Sequence, residues 1–310
     1  MLSRIKMAPL VQTIDYKYIL PGLSSLPLPL GKFLCYARGF LFFGLDHEWR
    51  NFALGKKFIR RNTYLAMQDI MPKSRSSKHI YATMLRYVHN SREEWQACLF
   101  RKKIMRKIMQ KSRIEGLSRL EQLNSQGRGV VLVSCHLDSF CMGMVLLGMN
   151  GIKMNCVNTA MIEDKRIHPE VRAFFQRKYR VMEMHMGGKM EYHETNMAFF
   201  YRALERGETV TLMGDIPGNK STVHIPFLGR RFRLPLGAWH LARKTNSLIG
   251  GYICVYEEVG KYKVVILPPE EIDPADPEKS LRPVYEFLEH WIRKMPQRWV
   301  SADLLPGFPL

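Results

Sequence analysis

Two hydrophobic periodicities divide the chain. Up to about residue 125, apolar residues are mixed with basic ones in stretches that read as helical. In Arg101–Arg113, the pairs Ile104/Met105 and Ile108/Met109 alternate with Arg106, Lys107 and Lys111, which places the apolar pairs on one face of a helix. Gly55–Gln68, with Phe58, Ile59, Tyr64 and Leu65 among Lys56, Lys57, Arg60 and Arg61, is a less sharp helical mix, as is His79–Tyr87 after the polar Lys73–Lys78 linker. After Gly127 the pattern changes. Gly129–Ser134 is a short unbroken apolar run, as expected of a strand buried on both faces. Further strands are predicted at Lys153–Val157, Val181–Met186, Thr209–Met213, Leu248–Val255 and Lys261–Leu267. Between and after them lie predicted helices at Met142–Met149, His168–Arg180, Met190–Arg206, Pro235–Thr245 and Pro283–Lys294. Such alternation predicts an α/β fold: a mixed, largely parallel central sheet flanked by helices, with a basic helical N-terminal region. The boundary falls between 1–125 and 126–310, which pack as one compact unit.

Charge sharpens that division. The 310 residues carry 47 Lys and Arg against 28 Asp and Glu, a net charge of +19. Residues 1–128 hold 24 of those cations and 8 of the acids (+16), and residues 129–310 hold 23 and 20 (+3). The first part of the chain should therefore meet something anionic: a phospholipid surface, an acidic carrier protein or nucleic acid. No helix-turn-helix, zinc-finger or RNA-recognition signature accompanies the charge, so nucleic acid is set aside as a partner. Gly31–Leu45 is the most apolar stretch, but Lys32 and Arg38 interrupt it and a membrane span is not expected. It reads as an interfacial helix or as a core helix with solvated charges. No signal peptide is expected, because Asp15 and Lys17 break any early apolar run. The six cysteines are scattered, with no CxxC and no Cys/His cluster. A disulfide framework and a structural zinc are excluded, and neither metal nor cofactor is expected.

In open α/β sheets, ligands sit just past the carboxyl ends of strands. Two predicted strands end in ionisable residues: Ser134-Cys135-His136-Leu137-Asp138-Ser139 and Met213-Gly214-Asp215. A histidine there can act as a general base near neutral pH, with a carboxylate to orient its ring. Asp138-Ser139 also reads as a helix N-cap, which needs no catalysis. Cys135 and Cys141 lie on the same short segment as His136, an arrangement that rarely yields a Cys–His pair. Arg230, Arg231 and Arg233, around the Gly229 turn, read either as a phosphate clamp or as a basic hairpin. They and Ser139 are the candidate substrate-binding residues. No Walker A loop, GxGxxG, HExxH or GxSxG is present.

These residues resemble, in order, the lipid A late acyltransferase group of the lysophospholipid acyltransferase superfamily. The resemblance spans roughly residues 38–300. It rests on Gly127-Arg-Gly-Val-Val-Leu-Val-Ser-Cys-His136, Met213-Gly-Asp-Ile-Pro-Gly218, Val223-His-Ile-Pro-Phe-Leu-Gly-Arg-Arg231, Leu234-Pro-Leu-Gly-Ala-Trp-His-Leu-Ala-Arg243, Ile266-Leu-Pro-Pro269 and Trp291–Trp299. It implies an enzyme on the cytoplasmic face of the inner membrane, held at the anionic surface by its basic N-terminal part. Such an enzyme moves an acyl chain from acyl carrier protein or coenzyme A to a hydroxyl of a lipid or glycolipid, with His136 as base. Donors near the start of the next helix would stabilise the oxyanion. Met142, Met144, Met149, Met182, Met184 and Met186 would either line an acyl groove or fill the core. One departure matters. The family motif His-x4-Asp/Glu places an acid where this chain has Cys141. Three readings compete: Asp138 substitutes for that acid, Asp215 orients His136 across the sheet, or the fold has kept binding and lost catalysis.

Overall fold

A computed structural model describes residues 9–100, 104–217 and 221–309. The expectations that touch Arg101–Lys103 and Gly218 lie outside those residues. The helices used below are α1 (Leu28–Leu45), α2 (Ile59–Ile70), α3 (Ser76–Leu99), α4 (Ile104–Lys111), α5 (Leu117–Ser125), α6 (Phe140–Met149), α7 (Pro169–Met186), α8 (His193–Glu205), α9 (Gly237–Thr245) and α10 (Pro277–Lys294). The strands are β1 (Arg113–Glu115), β2 (Val130–Ser134), β3 (Met154–Asn158), β4 (Gly187–Tyr192), β5 (Thr209–Met213), β6 (Thr222–Phe227), β7 (Arg230–Pro235), β8 (Leu248–Glu258) and β9 (Lys261–Glu270).

Seven strands form one mixed sheet in the order β1-β9-β8-β2-β5-β3-β4, with β6 and β7 as a separate hairpin. β9 runs antiparallel to β8, and every other pair in the sheet is parallel. β2 lies at the centre with all five residues buried. Its alternation feeds two layers. Val130 and Leu132 enter the core built with α6 and α7, whereas Val131 and Val133 enter the one built with α8, α9 and α10. The chain leaves β2 through α6 for β3, on the far side of β5. It leaves β5 through the hairpin and α9 for β8, on the far side of β2. The two central neighbours thus send their connections in opposite directions, and the crevice at their carboxyl ends is the sheet's switch point.

Two expectations are corrected. Val181–Met186 is not a strand but the last turns of α7, where Phe174, Val181, Met182 and Met186 are buried at helical spacing. The strand comes next, at Gly187–Tyr192, whose Gly-Gly-Lys start carries little β signal. Gly188 is needed there because a Cβ would stand 2.1 Å from the Met154 carbonyl oxygen. The helix starting at Met190 begins only at His193. The sheet also draws in β1 from before residue 126, so the N-terminal region supplies an edge strand as well as helices.

In that region α1 packs along α3 through small residues four apart. Gly31, Cys35 and Gly39 are buried, and a Cβ on Gly39 would lie 2.5 Å from the Val88 Cα. Arg38, buried on the same helix, pairs with Asp15 and with Glu94 at 2.8 Å. On other positions of the helix Leu30, Phe33, Phe40, Leu41 and Leu45 are exposed. Residues Leu28–Ala53 reach a mean hydropathy of 1.2 and are long and apolar enough to cross a membrane by length and composition, and 22% of that window is buried. One helix thus has a packed face and an apolar outer one. Gly39→Val is expected to separate α1 from α3 and to cost about 1–3 kcal/mol, read as a lower urea midpoint.

Candidate functional site

His136 and Asp215 each stand two residues past the last paired residues of β2 and β5, Ser134 and Met213. Equal overhang from adjacent parallel strands brings them face to face. His136 Nδ1 is 2.8 Å from Asp215 Oδ1, and the His136 backbone N–H donates to Asp215 Oδ2 at 2.8 Å. Trp299 Nε1 donates to Oδ2 at 2.7 Å. Burial alone would push the Asp215 carboxyl up. The facing imidazole and the three hydrogen bonds outweigh burial and hold it below the ordinary aspartate value. The stability this carboxylate contributes is therefore present above its unfolded pKa and lost as pH falls through the lower folded one.

An ionised carboxylate can only accept hydrogen bonds, so the Nδ1 that faces it carries the proton and Nε2 is left as the basic nitrogen. The ring is 23% exposed and packs edge-on against Phe140, with centroids 4.8 Å apart. A buried acid, an oriented imidazole and a free, partly accessible ring nitrogen are what general-base chemistry requires.

The C-terminal segment locks this arrangement. Val300 N–H donates to the His136 carbonyl at 2.8 Å, and Asp138 N–H donates to the Arg298 carbonyl at 2.9 Å. Residues 298–300 thus run beside 136–138 as a short bridge between Leu137 and Trp299. Trp299 is the site residue that motif reasoning did not assign. Its signal was present in the Trp291–Trp299 landmark, but a tryptophan near the end of a chain carries no chemistry until the fold brings it to a carboxylate.

Asp138 does not partner His136. It sits at φ +56°, in the left-handed region, fully buried. One carboxylate oxygen is bound by Arg92, and the other by Arg298 at 2.7 Å and by the Tyr256 N–H at 2.9 Å. Two cations and a backbone amide take up this acid in holding the loop after β2. Ser139 is also buried, its hydroxyl donating to Gln96 at 3.0 Å, so it has an internal partner rather than an open face. Arg230 is paired with Asp69 at 2.8 Å, and Arg231 with Glu278 at 3.3 Å. Arg231 and Arg233 lie on the exposed face of β7, and Phe232 and Leu234 on its buried one. These arginines sit on a β-hairpin, with the turn at Leu228–Gly229 at positive φ.

Cys135 and Cys141 are buried, and burial pushes both thiols well up, the more so because Asp215 and Glu93 respectively stand nearby. Neither is a ready thiolate. Cys141, at the position of the family acid, lies against a buried Lys178–Glu93 pair 2.9 Å apart. Among the methionines, Met142, Met144, Met182 and Met186 fill the core, and Met184 is exposed.

The fold defines an α/β protein with a histidine and a buried carboxylate paired at the switch point of its sheet. The bacterial lipid A biosynthesis acyltransferase family matches the chain over residues 50–301, a stretch that contains His136, Asp215 and Trp299, and the chain belongs to that family. It is similar to a lipid A biosynthesis acyltransferase of Haemophilus influenzae, at 23% identity over 195 residues. The aligned part covers 62% of this chain and 58% of that relative's length.

Proposed function

We propose that the protein transfers a fatty acyl group from a thioester, on acyl carrier protein or coenzyme A, to a hydroxyl of a lipid A-like glycolipid or other lipid. The observation that carries this reading is the His136–Asp215 contact at the carboxyl ends of β2 and β5. His136 Nε2 takes the proton of the acceptor hydroxyl as its oxygen adds to the thioester carbonyl. The tetrahedral intermediate then collapses, the carbon–sulfur bond breaks, and the imidazolium returns the proton to the departing thiolate. Asp215 holds the ring and balances its transient charge, and no covalent acyl-enzyme is needed.

The basic N-terminal region, residues 1–125, would hold the protein at the anionic inner face of the cell membrane. The exposed Leu10, Ile14, Tyr18, Phe33, Leu41 and Leu45 support that placement. Asp215 facing His136 offers the acid that Cys141 does not, which supports a catalytic reading over an inactive, binding-only one.

The test is acyl transfer by Asp215→Asn with both donor types. An amide can donate to Nδ1 and select the wrong tautomer, so the rate is expected to fall about a hundredfold. An Asp215→Asn protein as fast as wild type would overturn the dyad.

A further inference from the structure

On the other side of the 298–300 bridge from Asp215 lies a group of cations with unused hydrogen-bonding capacity. Arg92 is wholly buried, and its guanidinium stands over the Tyr256 ring, 4.4 Å from the centroid. Lys32 Nζ stands over the same ring at 5.4 Å and over Tyr36 at 5.3 Å. Arg298 joins them by donating to the Tyr256 carbonyl at 3.0 Å. His89, whose ring meets Tyr36 edge-on at 6.4 Å, is held neutral by burial and by the charges of Arg92 and Arg298. Among the described residues, these three cations share one paired carboxylate, Asp138, which leaves surplus positive charge. The neighbouring Glu257 and Glu258 are turned to Arg113 and Lys261.

Donors are also left over. Arg298 Nε and the Tyr256 hydroxyl are buried with no partner among the described residues, as are Arg92 Nε and Nη1 within ordinary hydrogen-bond distance, with the Tyr36 side chain near enough to take up part of the Arg92 capacity. Buried donors left unpaired cost about 1–3 kcal/mol each, so a cluster of them beside surplus charge implies an acceptor that completes it. The acceptor must be anionic and offer several oxygens. The cluster reaches the surface at its rim, where Lys32 and Tyr36 are half-buried and the Arg298 side chain is 26% exposed.

We infer that Lys32, Arg92, Tyr256 and Arg298 form a phosphate-binding subsite beside His136. Asp138 is two residues from His136, which bounds their separation along the chain at about 7 Å. Resting on the acyl-transfer reading, the phosphate would be that of the donor's phosphopantetheine arm or that of a phosphorylated acceptor, a phosphate ester in either case.

The experiment titrates the full-length protein calorimetrically with inorganic phosphate, 4′-phosphopantetheine and phosphate-free pantetheine. The two phosphate-bearing probes are expected to bind and pantetheine not to. Lys32→Gln, at a half-buried position away from the loop after β2, is expected to weaken phosphate binding roughly tenfold, and Lys32→Arg to restore it. Equal binding by wild type and Lys32→Gln, or equal binding of pantetheine and phosphopantetheine, overturns the subsite. Steady-state kinetics of Lys32→Gln then name the source. A raised KM for the acyl donor alone assigns the phosphopantetheine phosphate, and a raised KM for the acceptor alone assigns the acceptor's. A rise in neither overturns the proposal. The titration needs no turnover, so a wild-type protein without acyltransferase activity would sink the parent reading and leave the phosphate question decided separately.

Discussion

Replacing His136 by alanine is expected to lower acyl transfer by about ten-thousandfold, the upper end of what a positioned general base contributes. The loss should fall on kcat, because the imidazole acts on the proton in flight rather than on ground-state binding. The fold should survive it. The ring is partly exposed, and Asp215 keeps the His136 backbone N–H and Trp299 as donors, so the unfolding midpoint should move by no more than one hydrogen bond's worth, about 1 kcal/mol. Initial rates beside a urea melt separate the two effects. A His136→Ala protein that turns over at the wild-type rate would remove the imidazole from the mechanism altogether.

The largest stability effect is expected at Asp138. Asp138→Ala leaves Arg92 charged, wholly buried and without its counterion, strips Arg298 and the Tyr256 amide of an acceptor, and puts alanine at φ +56°. Breaking a buried pair from one side costs about 3–5 kcal/mol, enough to threaten folding in a domain of ordinary stability. Asparagine tolerates the left-handed backbone and can still accept hydrogen bonds, so Asp138→Asn isolates the charge. It should lower the urea midpoint while leaving kcat per folded molecule within a few-fold of wild type. If a folded Asp138→Asn protein instead loses as much activity as Asp215→Asn, then Asp138 does more than hold the loop, and the division of labour between the two acids is wrong.

Those contrasting fates show what could and could not be seen in the amino-acid order. β2 was legible because a strand buried on both faces writes itself as an unbroken Val-Val-Leu-Val run, and His136 because strand ends in such sheets are where ligands sit. The choice between Asp138 and Asp215 was not legible. Proximity in sequence favoured Asp138, yet pairing depends on the parallel register of β2 with β5, which aligns positions 79 residues apart. Arg92, from the middle of an amphipathic helix, reads as one more solvated charge until the fold encloses it with Asp138. β4 was missed for the opposite reason. Glycines give little propensity, and the strand is specified by the room its backbone needs beside Met154.

The short bridge at residues 298–300 has a consequence for when the protein becomes competent. The sheet and both members of the dyad are complete once residue 270 has been made, yet the indole that fixes Asp215 and the amide that caps the His136 carbonyl arrive about thirty residues later. A nascent chain can therefore fold its central layer while His136 is still loosely held. On the proposed mechanism, reactivity waits until residues 298–300 lie down along the loop, a built-in delay after folding.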